Sequence, residues 1–156
     1  MSERIKHSVK REYYKQIKSS FSSNNDFINR LLFQRLELES YRKSLRFKWT
    51  NLGKLILLQL NRFSNYYGTR WYYGVAFTLL IGLAFFTGYV LASSYSVGGL
   101  DNLLKHFVLF INPVHSFDFY FTNPDGNLML IDAFSRIFIS YGYYQTIQAF
   151  RIYGRN

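Results

Sequence analysis

From Trp71 to Leu100 the chain runs 30 residues without a charged side chain, and Val75 to Leu91 within that run is nearly all apolar. A helix rises about 1.5 Å per residue, so about 20 such residues cross the hydrocarbon of a bilayer. Tyr66, Tyr67, Trp71, Tyr72 and Tyr73, with Arg70 among them, gather at one end of the run. Aromatic and cationic residues collect in this way at membrane interfaces. A first transmembrane helix is therefore expected over about 73–94.

A second long helix is expected over about 128–150, where residues 137–150 are again free of charge. It carries Asp132, Arg136, Gln145 and Gln148, so a buried core helix is the alternative reading. Asp132 and Arg136 are spaced i,i+4 and can pair. Ionisable groups at membrane depth usually face a protein interior or a water-filled path. We take this segment as the second span, with Asp132 and Arg136 as an intramembrane or pore-lining pair.

The first half of the chain has a different character. Residues 1–72 hold 15 of the 19 Lys and Arg against five acids, so the whole net charge of +10 lies there and residues 73–156 are neutral. Residues 3–21 read as a basic helix with Ser2 as its N-cap, and the run Ser19–Asn25 has turn chemistry that should end it. Asp26 opens a second helix, to about Trp49, with apolar residues such as Ile28, Leu32 and Leu36 at helical spacing. Asp26 with Arg30 and Glu39 with Lys43 are i,i+4 pairs in the favoured orientation. Such a helical hairpin suits oligomerisation, a cytoplasmic protein partner or docking on a membrane.

A third helix, Leu52 to about Tyr66 and ended by Gly68, is more apolar. It fits the membrane interface, with the cations Lys54, Arg62 and Arg70 toward anionic lipid headgroups. It fits packing against the hairpin equally well. Lipid attraction accounts for the basic half more simply than nucleic acid, because its charges are spread over helices beside a span. The expected division is a basic cytoplasmic helical domain over 1–70 and a two-helix transmembrane domain over 71–156. The excess of cations before the first span places both termini in the cytoplasm and residues 95–126 outside, as a multi-pass protein of the cell inner membrane.

Between the spans lie both prolines, Pro113 and Pro124, and a short apolar segment, Leu103 to Ile111, too short to cross. Asn123-Pro124-Asp125-Gly126 is a strong turn signal, after which Asn127 can cap the second span. Span, short apolar helix, irregular turn and span is the layout of a pore-loop channel subunit. Non-helical backbone is tolerated at depth only where it is buried in protein or lines water. Asn112, His115, Ser116 and Asp118 then stand at the filter position. The potassium filter Thr-Val-Gly-Tyr-Gly is absent, so a carbonyl cage for potassium is not supported. Tyr141-Gly142-Tyr143 falls inside the second span, where a glycine serves close packing or a bend.

The chain has no cysteine, which removes disulfides and thiolate metal sites. His7, His106 and His115 lack metal-site spacing, and there is no Gly-rich phosphate loop or nucleophile motif. These features argue against an enzyme and against any metal or other cofactor. The expected fold class is an all-α membrane protein: a cytoplasmic hairpin, an interfacial helix, and two transmembrane helices flanking a re-entrant, pore-loop-like segment.

Three stretches carry a resemblance: Leu36-Glu37-Leu38-Glu39-Ser40-Tyr41-Arg42-Lys43, the run Asn61 to Trp71, and Ala149-Phe150-Arg151-Ile152-Tyr153-Gly154. Over roughly residues 12–154 the chain resembles the C-terminal membrane region of bacterial (Bacteroidetes-type) pentapeptide-repeat membrane proteins. Those regions are similar in turn to two-helix ion-channel domains. The resemblance implies a homo-oligomer around a central pore, a tetramer if the pore-loop analogy holds. It also suits a membrane effector of a bacterial defence system.

Overall fold

The computed structural model describes residues 3–93, 98–115 and 125–153, and everything it describes is helix or connecting turn, with no strand. The first two helices, α1 (Glu3–Ser23) and α2 (Phe27–Ser44), form the expected hairpin. Asp26 caps α2, its carboxylate accepting from the backbone N–H of Asn29 at 3.1 Å and the side-chain amide of Asn29 at 2.7 Å. These bonds hold the Asp26 carboxyl below its ordinary value. The expected Asp26–Arg30 pair gives way to this cap, and Arg30 lies over the Phe27 ring instead. Glu39 and Lys43 do pair, at 3.1 Å.

The hairpin interior combines rings with charge. Phe33 meets Phe21 and Tyr14, Arg11 lies 3.9 Å over the Tyr41 ring, and Lys18 Nζ reaches Glu37 Oε2 at 2.6 Å. The serine-rich turn expected from Ser19 begins later. Ser23 Oγ bonds back to the carbonyls of Ser19 and Ser20, so the serines stay helical and the chain reverses at Asn24 and Asn25, where Asn25 takes φ 56°. Such back-bonding satisfies a hydroxyl without leaving the helix. α2 also ends five residues short of Trp49. Ser44 Oγ bonds the Tyr41 carbonyl, Leu45 turns extended, and a four-residue corner leads into α3 (Trp49–Asn65).

After α3 the chain turns sharply through Tyr66 and Tyr67, both left-handed at φ 52° and 60°, and Gly68 at φ 85°. Asn65 organises this turn, its side-chain oxygen accepting from the Gly68 N–H at 2.8 Å. The helix therefore ends before the expected Tyr66. α4 (Trp71–Ser93) follows, then α5 (Gly99–Phe110) and α6 (Gly126–Tyr153). Among the described residues α4 is the one helix long and apolar enough to cross a membrane. Only 22% of its most apolar window is buried, so most of its apolar surface lies outside the core.

α4 and α6 pack antiparallel, since Trp71 stacks on Phe150, Phe77 meets Tyr141, and Phe85 stacks on Phe138. Their contact is built on glycine. A Cβ at Gly74 would strike the Thr146 hydroxyl, and one at Gly142 would strike the Thr78 hydroxyl. Each threonine bonds its own helix one turn back, Thr78 to the Gly74 carbonyl at 2.8 Å and Thr146 to the Gly142 carbonyl at 2.9 Å. Small residues bringing backbones together in this way are the usual means of helix association in lipid. Gly142 thus serves the close packing its position suggests.

α6 is longer than expected. It starts at Gly126, with the Met129 N–H bonded to the Asp125 carbonyl and the Gly126 N–H to the Asp125 carboxylate, so Asp125 rather than Asn127 holds its start. α5 likewise starts four residues before Leu103. Ser2, Asn123 and Pro124 lie outside the described residues.

Candidate functional site

α5 runs back along α4. Phe107 and Phe110 pack against Phe86, Phe110 meets Tyr89, and Ile111 reaches Gly82, the twelfth of the 23 residues of α4. Twelve residues of helix span about 18 Å. α5 therefore covers half of α4, and the chain turns at its midpoint. Phe110 is fully buried and anchors the core formed with Phe86, Tyr89, Leu128 and Ile139.

The turn that follows is Asn112-Pro113-Val114-His115. The Asn112 side-chain oxygen accepts from the Val114 N–H at 3.1 Å, and its carbonyl accepts from the His115 N–H at 3.3 Å. His115 Nδ1 lies 2.5 Å from that same carbonyl. This local bonding turns the imidazole inward beside Phe110, where it is buried.

There it meets α6. Asp132 is 2% exposed; its Oδ1 lies 2.8 Å from His115 Nε2, and its Oδ2 accepts from Arg136 Nε at 2.6 Å. Ser135 Oγ donates to the Asp132 carbonyl at 2.7 Å. One carboxylate thus joins the loop to the helix. The imidazole stands between two acceptors, a carbonyl and a carboxylate. Satisfying both takes two ring N–H groups, or a proton on Asp132. The three side chains can pin the loop, hold fixed charge beside it, and exchange a proton between ring and carboxylate.

Of the residues the sequence singles out, the fold brings Asn112, His115, Asp132 and Arg136 together. Ser116 and Asp118 lie outside the described residues. Lys54 is exposed on α3, Arg62 is half-buried, and Arg70 lies over the rings of Tyr66, Tyr72 and Tyr73 at the start of α4. No group of three or more His, Asp or Glu converges to hold a metal among the described residues.

Sequence reasoning placed His115 and Asp132 in separate features and missed the bond between them, because 17 residues of irregular spacing separate them. It also missed a second polar tie. Asn65, at the end of α3, donates its amide to Gln145 Oε1 of α6, and Ser64 Oγ lies 3.3 Å from the Tyr141 phenol oxygen, Oη. Gln145 and Tyr141 are one turn apart, a spacing that could have marked a polar seam. No protein-family model, curated protein or solved structure matches the chain.

Proposed function

We propose that this chain is a channel-like subunit of a homo-oligomeric membrane pore, with α4 and α6 as its two spans and α5 with residues 111–115 as a re-entrant segment. The observation that carries the reading is the half-length α5, folded back to the midpoint of α4 and tied at His115 to a buried carboxylate of α6. A connector outside a membrane has no need to return along a span. A pore loop does, and its irregular backbone must then be buried in protein or line water.

The distribution of polarity on α6 supports its role as the second span. Its buried face holds Asp132, Ser135, Gly142 and Gln145 together with Leu128, Ile139 and Ala149, while Leu130, Phe134, Ile137 and Ile147 face outward. Polar groups turned inward and large apolar side chains turned outward suit lipid outside with protein within. Four copies would complete the pathway if the pore-loop analogy holds, with both termini on the cytoplasmic side of the inner membrane.

The test is ion flux through the purified oligomer in liposomes across a range of voltage and pH. Conductance that changes on His115→Gln at unchanged oligomer size supports the reading. No flux under any condition, together with an axis filled by packed side chains, sinks it. Reporter fusions at Asn156 and after Gly98 should report opposite compartments, and the same compartment for both would remove the second span. One observation favours a membrane-anchored interaction module instead. α1 exposes Ile5, Val9, Tyr13 and Ile17 in a continuous stripe at i,i+4 spacing, a surface suited to a partner helix.

A further inference from the structure

The corner between α2 and α3 presents the most exposed aromatic side chains among the described residues. Residues 46–50 are all exposed, with Phe47 at 85% and Trp49 at 91%. Large aromatic side chains so fully presented, alternating with Arg46 and Lys48, are not fillers of this fold. Leu45 and Lys48 are extended, and Trp49 opens α3. Phe47, Lys48, Trp49 and Leu52 line a shallow cavity of about 240 Å³ there.

The apolar surface continues along α3. Trp49, Ile56 and Phe63 recur every seventh residue, with Leu57 beside them, and all four are exposed. At 3.6 residues per turn, Lys54 and Arg62 fall roughly 160° and 120° around the helix from Ile56. Leu58, Ser64 and Asn65 are buried toward the rest of the fold. α3 then enters α4 through five residues that include Tyr66 and Arg70.

We propose that the Arg46–Trp49 corner and the Ile56–Leu57–Phe63 stripe seat in the headgroup layer of an anionic bilayer, docking the basic domain on the leaflet where α4 enters. The inference rests on the reading that α4 spans a bilayer. Three observations choose lipid over a protein partner. The stripe leads along the chain into the span, Lys54 and Arg62 flank its apolar side, and the whole net charge of +10 belongs to residues 1–72. Tryptophan and phenylalanine beside lysine and arginine are the side chains that settle at the boundary of headgroup and acyl chain. Anionic lipid answers the charge.

The chain has two tryptophans, at 49 and 71, so full-length protein with Trp71→Phe reports Trp49 alone. It is reconstituted in nanodiscs of phosphatidylcholine with or without phosphatidylglycerol. In the anionic discs Trp49 emission should be blue-shifted, strongly quenched by lipids brominated near the top of the acyl chain, and little quenched by acrylamide. Arg46→Glu with Lys48→Glu should shift emission to the red and reverse the two quenching preferences while the protein still resists alkaline carbonate extraction. Emission open to acrylamide and indifferent to brominated lipid in the parent protein overturns the proposal. Emission shielded from both overturns it as well, because another protein surface, such as a second copy, then covers the stripe. Extraction of the parent by carbonate removes the span reading and this inference together. Lipid quenching without ion flux sinks the pore alone.

Discussion

A single carboxylate holds the loop of this molecule to its last helix. Asp132 serves His115 with one oxygen and Arg136 with the other, so its loss removes two bonds where loss of His115 removes one of them. Breaking a buried ion pair from one side costs about 3–5 kcal/mol. Asp132→Leu should therefore lower the thermal midpoint of the detergent-solubilised protein more than His115→Leu does. Removing all three side chains together, as Leu, should recover much of the loss, because no buried charge is left. If Asp132→Leu melts like the parent, these groups face water. Asp26 makes the opposite kind of contribution, at the surface. Its carboxyl is held below the ordinary carboxylate range, first by the Asn29 side chain and then by the Asn29 backbone. A depressed folded value means that its stabilisation is complete above the unfolded value and fades as pH falls through the folded one. Asp26→Asn keeps a capping side chain but cannot titrate. The drop in hairpin thermal midpoint on acidification, followed by circular dichroism, should be smaller in that variant than in the parent.

At the scale of helices the decisive feature is the α4–α6 contact. Thr78 and Thr146 each fill the space left by a glycine on the facing helix. A larger side chain at Gly142 must push the backbones apart, and such overpacking costs about 1–3 kcal/mol. Gly142→Leu should therefore destabilise the helix pair, measured as the denaturant midpoint in micelles, while Ala133→Leu on the exposed side of α6 should leave it unchanged. These elements were largely legible in the sequence, since a charge-free run and helical spacing are local signals. The long apolar run marks α4 within two residues at its start, and the short apolar segment marks α5. What escaped were ends and pairings. α2 stops at Ser44 because a serine hydroxyl bonds back to Tyr41 and Leu45 turns extended, while periodic leucines suggested continuation. Glycine and threonine at i,i+4 on α4 and again on α6 hold the packing code, but which helix each faces is a fact of tertiary structure. The tie between Asn65 and Gln145 is likewise invisible until the turn at Tyr66 and Tyr67 has brought α3 against α6.

Over the whole molecule, charge and apolar surface are divided along the chain, with the basic helices first and the neutral pair after them. The two halves are joined by backbone through residues 66–70 and by side chains at Ser64–Tyr141 and Asn65–Gln145. A motion of α3 is thereby transmitted to α6 rather than to α4 alone. The polar seam of α6 also has a consequence for how the protein is made. In the two-span reading α4 would meet hydrocarbon with no charge to conceal and would leave the translocation machinery unaided. Asp132 and Arg136 each disfavour such passage by about 2.5–3.5 kcal/mol near the middle of a span. Their mutual bond forms within α6 itself, whereas the imidazole of His115 is supplied from outside the helix, by the turn that follows α5. In the two-span reading the last helix is thus a dependent client of the first, entering the bilayer as its companion, and biosynthesis must hold it back until that companion is in place.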